Sequence, residues 1–359
     1  MKTISSRLML LAAAVLLFSC QNQNVRMHTT VHANGDCTRE VSYSNVMTQA
    51  QRDSVWGGTT GWSQPMPECL NIDAFCKSYT EIGEGDTVTT TFEQRFRSVE
   101  EMCAQTPLQL GGVRMRSHGT LHRRFRWFYT EYDFTEVIGC VADSFPLPAT
   151  DYADAELISY WFTGQPNLIV GLSGAEASER LGKIENLVSR WLNDNFCQLV
   201  FNHIAAHYDS IPNPPVRRDR FVALRDSLSC YLVESGVDVF LGNEELSQLM
   251  HDFFHSDAYA PFFDDETPLG KELSEQLAQR LSIFSLNVPY TLQMPGTVIN
   301  PGNGILRPDG IVFYPLTGER LIPHDYVIHA TSRKNNIWAW IISALIILLA
   351  IGLFFRKKS

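Results

Sequence analysis

Hydrophobic and polar positions along the chain change period twice between two uninterrupted apolar runs. Arg26 to His32 alternates loosely, Asn34-Gly35 supplies a turn, and Cys37 to Tyr43 returns, which predicts a β-hairpin over residues 26–45. Asn45 to Tyr79 reads as loop, and Thr87 to Arg97 as a strand. Ser98-Val99-Glu100-Glu101 has capping-box spacing and predicts a short helix that stops before Pro107. Val113 to Ile138 predicts further β structure, densest in aromatic residues from Phe125 to Phe134.

From Ala153 to Phe284 the period is helical. The longest predicted helix runs from Ala175 to His207, with Leu181, Ile184, Leu187, Val188, Trp191 and Leu192 on one face. Pro212-Asn213-Pro214-Pro215 breaks it, and Arg218 to Leu232, Asn243 to Phe254 and Lys271 to Phe284 follow as helices. Pro289 to Ala330 returns to short β segments between Pro-Gly turns. The order predicts an α+β fold: an antiparallel β sheet built from N- and C-terminal segments, a helical insertion between them, and a single C-terminal transmembrane helix. The expected regions are 1–19 (signal peptide), 20–150 (mainly β), 151–285 (helical), 286–332 (β), 337–355 (transmembrane) and 356–359 (cytoplasmic tail).

The apolar ends carry the membrane reading. Lys2 and Arg7 precede the 11-residue apolar run Leu8–Phe18, which is too short to span ~30 Å of hydrocarbon. Leu17-Phe18-Ser19-Cys20 resembles the lipobox of bacterial lipoproteins, which implies lipidation of Cys20. Phe18 stands where a small residue is usual, and an ordinary cleaved signal is the alternative. Ile337 to Phe355 is 19 residues without a charge, ~28 Å long at ~1.5 Å per residue, and Arg356-Lys357-Lys358 follows directly. A buried core helix is the competing reading of that run. Only a few residues separate Cys20 from the first strand, or the last strand from the helix. Both ends are therefore expected to be membrane-proximal, with the middle of the chain distal.

Charge narrows the partners. The full chain has 29 Lys+Arg against 39 Asp+Glu. Taking away residues 1–20 removes Lys2 and Arg7, and taking away 337–359 removes Arg356, Lys357 and Lys358 but no acid. The body keeps 24 basic and 39 acidic residues, a formal charge of −15. That balance argues against nucleic acid or anionic lipid as the main partner. Apart from Cys20, seven cysteines remain, and an exported body can hold disulfides. The candidates are Cys69 with Cys76, and Cys197 with Cys230.

Candidate chemistry is sparse. His203/His207 and His251/His255 both have i,i+4 spacing on predicted helices, which places two rings on one face as a metal site needs. His251-Asp252-Phe253-Phe254-His255 is similar to the HExxH helix of zinc peptidases with the shorter Asp in place of Glu. Asp257, Asp264, Asp265 and Glu266 lie nearby, but none marks a recognisable third ligand. Phe125, Trp127 and Tyr129 share one strand face and Phe128, Tyr132 and Phe134 the other, the pattern of a strand covered on both sides. No phosphate loop and no nucleophile elbow occurs, and no cofactor is expected.

Pro289-Tyr290-Thr291-Leu292-Gln293-Met294-Pro295-Gly296-Thr297-Val298, an Asn/Gly turn and Ile311-Val312-Phe313-Tyr314-Pro315 run toward the terminal apolar segment. This arrangement resembles the pre-membrane β segment of small LppM-like bacterial lipoproteins, over about a fifth of the chain. The resemblance implies location and fold rather than activity. The expected protein is a periplasm-facing envelope lipoprotein, held at the inner rather than the outer membrane. Its expected role is non-enzymatic binding or assembly with an envelope protein partner. The alternative is a metal-dependent envelope hydrolase using His251 and His255.

Overall fold

The computed structural model describes residues 24–50, 69, 74–83, 87–110, 113–235 and 243–356. The signal segment, Cys20 and most of the predicted loop at 45–79 lie outside the described residues. Two compact units form, each described by itself. The β unit comprises residues 24–139, 287–317 and 325–356, and the helical unit comprises Cys140–Leu286 with Gly318–His324. The mixed α+β class follows directly from this composition of elements.

The β unit contains β1 (Asn24–Val31), β2 (Cys37–Val46), β3 (Lys77–Ile82), β4 (Thr87–Phe96), α1 (Val99–Gln105), β5 (Gln109–Leu110), β6 (Val113–Arg114), β7 (Ser117–Phe125) and β8 (Tyr129–Ile138). From the C-terminal part come β9 (Tyr290–Gln293), β10 (Thr297–Asn300), β11 (Ile305–Leu306), β12 (Val312–Tyr314) and β13 (Tyr326–Asn335). One seven-stranded sheet has the order β11-β12-β9-β1-β2-β4-β3, a four-stranded sheet has the order β10-β13-β8-β7, and β5-β6 is a short ribbon.

The expected hairpin is β1–β2, with Val31 opposite Cys37 and Gly35 at φ 103° in its turn, a value that a side chain adopts only under strain. C-terminal strands complete both sheets. β9 lies beside β1 with Met27 opposite Tyr290, and β13 runs along the whole of β8, from Tyr326 against Ile138 to Asn335 against Tyr129. Two details depart from the expectation of one antiparallel sheet: there are two sheets, and β1/β9 is parallel. A parallel pair requires a long crossover, and the helical unit separates these strands in sequence. β3 falls partly within the predicted loop. It is an edge strand exposed along its length, so no apolar alternation marks it.

Alternate residues of β8 turn inward: Thr130, Tyr132, Phe134, Glu136 and Ile138. Cys37, Arg39, Val41 and Tyr43 of β2 do the same. Two of these inward positions carry charge. Arg39 Nη2 donates to Glu136 Oε2 at 2.6 Å, with both side chains no more than 2% exposed. Arg39 Nη1 donates to Thr106 Oγ1 at 3.2 Å and Nε to Thr29 Oγ1 at 3.3 Å, while Tyr290 OH donates to Glu136 Oε2 at 2.8 Å. Arg39, Thr29 and Tyr290 belong to the seven-stranded sheet and Glu136 to the four-stranded one, so this cluster pins the sheets together. Burial is the largest single influence and opposes the Arg39 charge, but the surrounding groups, the Glu136 carboxylate foremost, together raise the pKa of the guanidinium. Burial, reinforced by Glu136, holds the Tyr290 hydroxyl well above the usual phenol range, so it remains a donor.

Ser98 caps α1 as predicted, accepting from the Glu101 N–H at 3.2 Å. The helix meets β7 at Gly119, where a Cβ would come within 2.7 Å of Cys103 Sγ and Val99 Cγ1. No disulfide joins the described cysteines, which leaves the pairings expected for Cys69/Cys76 and Cys197/Cys230 without support. Burial pushes the Cys197 thiol up to about 12, whereas Cys230 is exposed, so the two occupy unlike surroundings. Cys37, pushed up to about 12 by burial, and Cys103 act as small core residues.

The helical unit contains α2 (Ala155–Thr163), α3 (Gly174–Ala206), α4 (Arg218–Ala223), α5 (Arg225–Glu234), α6 (Asn243–Phe254) and α7 (Pro268–Ser285). A reciprocal capping box between Ser173 and Glu176 starts α3. Of its predicted apolar face, Ile184, Trp191 and Leu192 are buried and Leu181 is exposed. Phe221 centres the core, stacked on Phe201 at 4.8 Å and ringed by Tyr208, Phe254 and Tyr259. The predicted helix 218–232 divides at Leu224, and the division lets Phe221 and Leu228 enter one core. Thr267 caps α7 by accepting from the Gly270 N–H at 3.0 Å, and Pro268 fits its first turn, which starts the helix three residues early. Gly318–His324, expected in the C-terminal β region, belongs to the helical unit. Gly318 N–H bonds the Leu286 carbonyl at 2.8 Å, and Val141 N–H bonds that of Leu321 at 2.8 Å.

Breaking the buried pair from one side leaves an uncompensated charge. Arg39→Met or Glu136→Gln alone is expected to cost about 3–5 kcal/mol of unfolding free energy, and the double replacement Arg39→Met with Glu136→Leu less than either. Denaturant titration in detergent micelles checks this; a double variant as unstable as the sum of the singles contradicts the coupling.

Candidate functional site

α8 (Ile337–Arg356) is, among the described residues, the one helix long and apolar enough to cross a membrane. Only 6% of its Ile337–Phe354 window is buried, whereas a core helix would be mostly buried. The core-helix alternative therefore fails.

One residue joins this helix to the sheet. β13 ends at Asn335 and α8 begins at Ile337, leaving Asn336 between them. Its backbone N–H donates to the Phe128 carbonyl at 2.9 Å and its Nδ2 to the Arg126 carbonyl at 2.8 Å. Its Oδ1 accepts from Thr130 Oγ1 at 3.1 Å, and its own carbonyl accepts the Ala339 N–H at 2.9 Å. Strand, helix and the β7–β8 hairpin thus meet at a single side chain.

The hairpin tip lies against the first turns of α8. Phe125 stacks on Trp338 at 6.2 Å, Trp127 meets Trp338 edge-on at 5.3 Å, and Phe128 packs on Trp340 at 4.4 Å. Trp127 Nε1 donates to Ser343 Oγ at 2.8 Å. Ser343 is six residues beyond Ile337, so the tip follows the helix for ~9 Å along its axis at ~1.5 Å per residue. Five exposed aromatic rings form a collar of the kind favoured at a membrane–water boundary. This corrects the expectation of a strand covered on both sides. Tyr132 and Phe134 are buried, but β7 ends at Phe125 and the chain turns, leaving Phe125, Trp127 and Phe128 exposed.

Arg123, Arg124, Arg126, Arg333 and Lys334 are exposed beside the collar. Arg333 pairs with Glu131 at 3.0 Å and lies over the Tyr129 ring at 4.8 Å. The body's average acidity hides this basic end, where cations suit anionic headgroups at about 1 kcal/mol each. The β1–β2 turn lies close to the same end, since Tyr132 OH donates to the Ala33 carbonyl at 3.0 Å and Arg123 Nη1 to it at 3.3 Å. Asn24 is seven residues back along β1 from Val31, ~23 Å at ~3.3 Å per residue. The first strand therefore begins away from the collar.

The two histidine pairs fare differently. α6 ends at Phe254, and His255 follows in a left-handed conformation at φ 53°, so its ring does not continue the helix face of His251. His251 Nδ1 instead meets Asp257 Oδ1 at 2.7 Å. His203 and His207 keep their mutual approach, with ring centroids 4.7 Å apart, and Glu272 of α7 joins them. Ligand-capable atoms of these three lie within 4.8 Å of one another. Glu272 was missed because its partners are 65 residues and more away in sequence, and only the approach of α7 to the end of α3 reveals it. In the helical unit a cavity of about 190 Å³ beside Cys197, Asp194, Arg225 and Asp226 falls below the ~300 Å³ at which small-molecule sites begin.

No known protein family, no curated protein and no solved structure matches this chain.

Asn336→Ala removes the side-chain bonds to Thr130, Arg126 and Trp127 while sparing the backbone ones. The expected loss is about 1–3 kcal/mol, read by denaturant titration of the micelle-bound protein. An unchanged midpoint would show that the joint carries no load.

Proposed function

We propose that this protein is a membrane-seated component of a bacterial cell envelope, exported and lipidated at Cys20, with a non-enzymatic binding or assembly role. The observation that carries the reading is the collar. Trp127 bonded to Ser343, with rings on Trp338 and Trp340, gives the β unit a fixed seat on the helix. A protein that only needed tethering would be served by a flexible stalk, whereas this one has a single-residue joint. The local basic residues supply charge suited to a headgroup layer, and the export-type N-terminus supports a body facing the periplasm at the inner membrane.

A lipid on Cys20 adds a constraint. Four residues from Cys20 to Asn24 reach at most ~14 Å, less than the ~23 Å that β1 covers between Val31 and Asn24. With both anchors in one bilayer, the strands of the β unit lie well away from the membrane normal, so that one edge of the unit faces the lipid.

Cys76 and Cys230 are exposed thiols, which gives a direct test. A membrane-impermeant maleimide carrying a photo-crosslinker is added to intact spheroplasts and then illuminated. The reading expects labelling from outside and capture of one dominant envelope protein in near-equal amount. Labelling only after rupture overturns the orientation, and labelling with no reproducible capture overturns the binding role.

A further inference from the structure

We propose that His203, His207 and Glu272 form a site for a borderline divalent cation, zinc foremost, that ties the end of α3 to α7. The inference goes beyond the proposed function and does not rest on it. His203 and His207 are four residues apart, at the last turn and the C-cap of α3, and Glu272 is in the early part of α7. Their ligand-capable atoms lie within 4.8 Å of one another.

The hydrogen bonds decide which atoms are open. His203 Nε2 is 2.9 Å from the Leu269 carbonyl oxygen, which only accepts, so Nε2 carries the proton and Nδ1 keeps its lone pair. His207 Nδ1 is 3.1 Å from the His203 carbonyl oxygen and donates to it, which leaves Nε2 turned to Glu272 Oε2 at 3.7 Å, beyond hydrogen-bond reach. A metal cation held between that nitrogen and the carboxylate fits this gap. Each histidine also has its second nitrogen bonded to a backbone carbonyl, the outer support that orients metal-bound imidazoles. The C-terminal end of α3 adds negative potential where the cation would sit.

Two nitrogens and a carboxylate suit zinc with one coordination position left over. His203 is buried, while the His207 side chain is 35% exposed and that of Glu272 50%. The open position therefore faces solvent, where water or a partner's side chain can occupy it. Neither reading of His251 and His255 is needed for this site.

The test uses the full chain in detergent micelles, purified without a histidine tag. Zinc is titrated calorimetrically and cobalt is followed by its visible absorption. One zinc per chain is expected, together with a cobalt spectrum of four- or five-coordinate type and a raised melting temperature. His207→Asn, at a half-buried position, and Glu272→Gln, at an exposed one, are each expected to weaken zinc by more than about 100-fold, beyond the ~10–100-fold cost of losing an outer support. His251→Ala is expected to change nothing. Wild-type protein that takes up no stoichiometric zinc overturns the proposal. So does zinc binding undiminished in both His207→Asn and Glu272→Gln, or zinc lost in His251→Ala.

Discussion

The structure turns on how little chain separates a sheet from a helix long and apolar enough to cross a membrane. With Asn336 alone between β13 and α8, no slack absorbs a mismatch in direction. Six hydrogen bonds at that residue hold strand, helix and hairpin at fixed angles to one another. The hairpin tip must then lie along the helix, and its aromatic rings are placed where an isolated soluble protein would not leave them. Exposed Trp127, Phe128 and Trp340 are costly in water and suited to a membrane boundary, so the joint and the collar explain each other.

Rigidity at the joint matters only if the β unit itself does not shear. The Arg39–Glu136 pair serves that end. Its members come from different sheets, and Thr29, Thr106 and Tyr290 satisfy the surrounding donors and acceptors. A buried pair of this kind contributes little net stability compared with an apolar core, but misregister of either sheet would strand a charge. The cluster therefore specifies alignment more than it adds energy. Because β8 carries Glu136 at one end and leads back to the hairpin tip at the other, the alignment set in the core reaches the collar.

Much of this was legible from periodicity. The β1–β2 hairpin, α1 with its Ser98 cap, the course of α3 and the limits of α6 follow from local patterns, because each is specified by residues close together in sequence. The parallel β1/β9 pairing and the placement of Gly318–His324 in the helical unit were not, since both depend on contacts made across the whole insertion. β3 escaped notice because an edge strand exposed along its length has no apolar face to alternate. The aromatic run from Phe125 to Phe134 was read as core, since sequence alone does not distinguish a ring facing lipid from one facing protein. The histidines were legible as pairs, but which pair could gather a third ligand depended on where α6 stops and where α7 comes to lie.

The claim at the centre of this account is that the β7–β8 tip sits at the level of the membrane boundary. Spin labels placed singly at positions 126 and 343 of the full chain in liposomes, on a background lacking the exposed thiols, report depth through collision with oxygen and with an aqueous nickel chelate. The account predicts that position 126 lies in the headgroup layer or just beneath it, shielded from nickel relative to the same label free in solution. Nickel accessibility at 126 equal to that of the free label would contradict it.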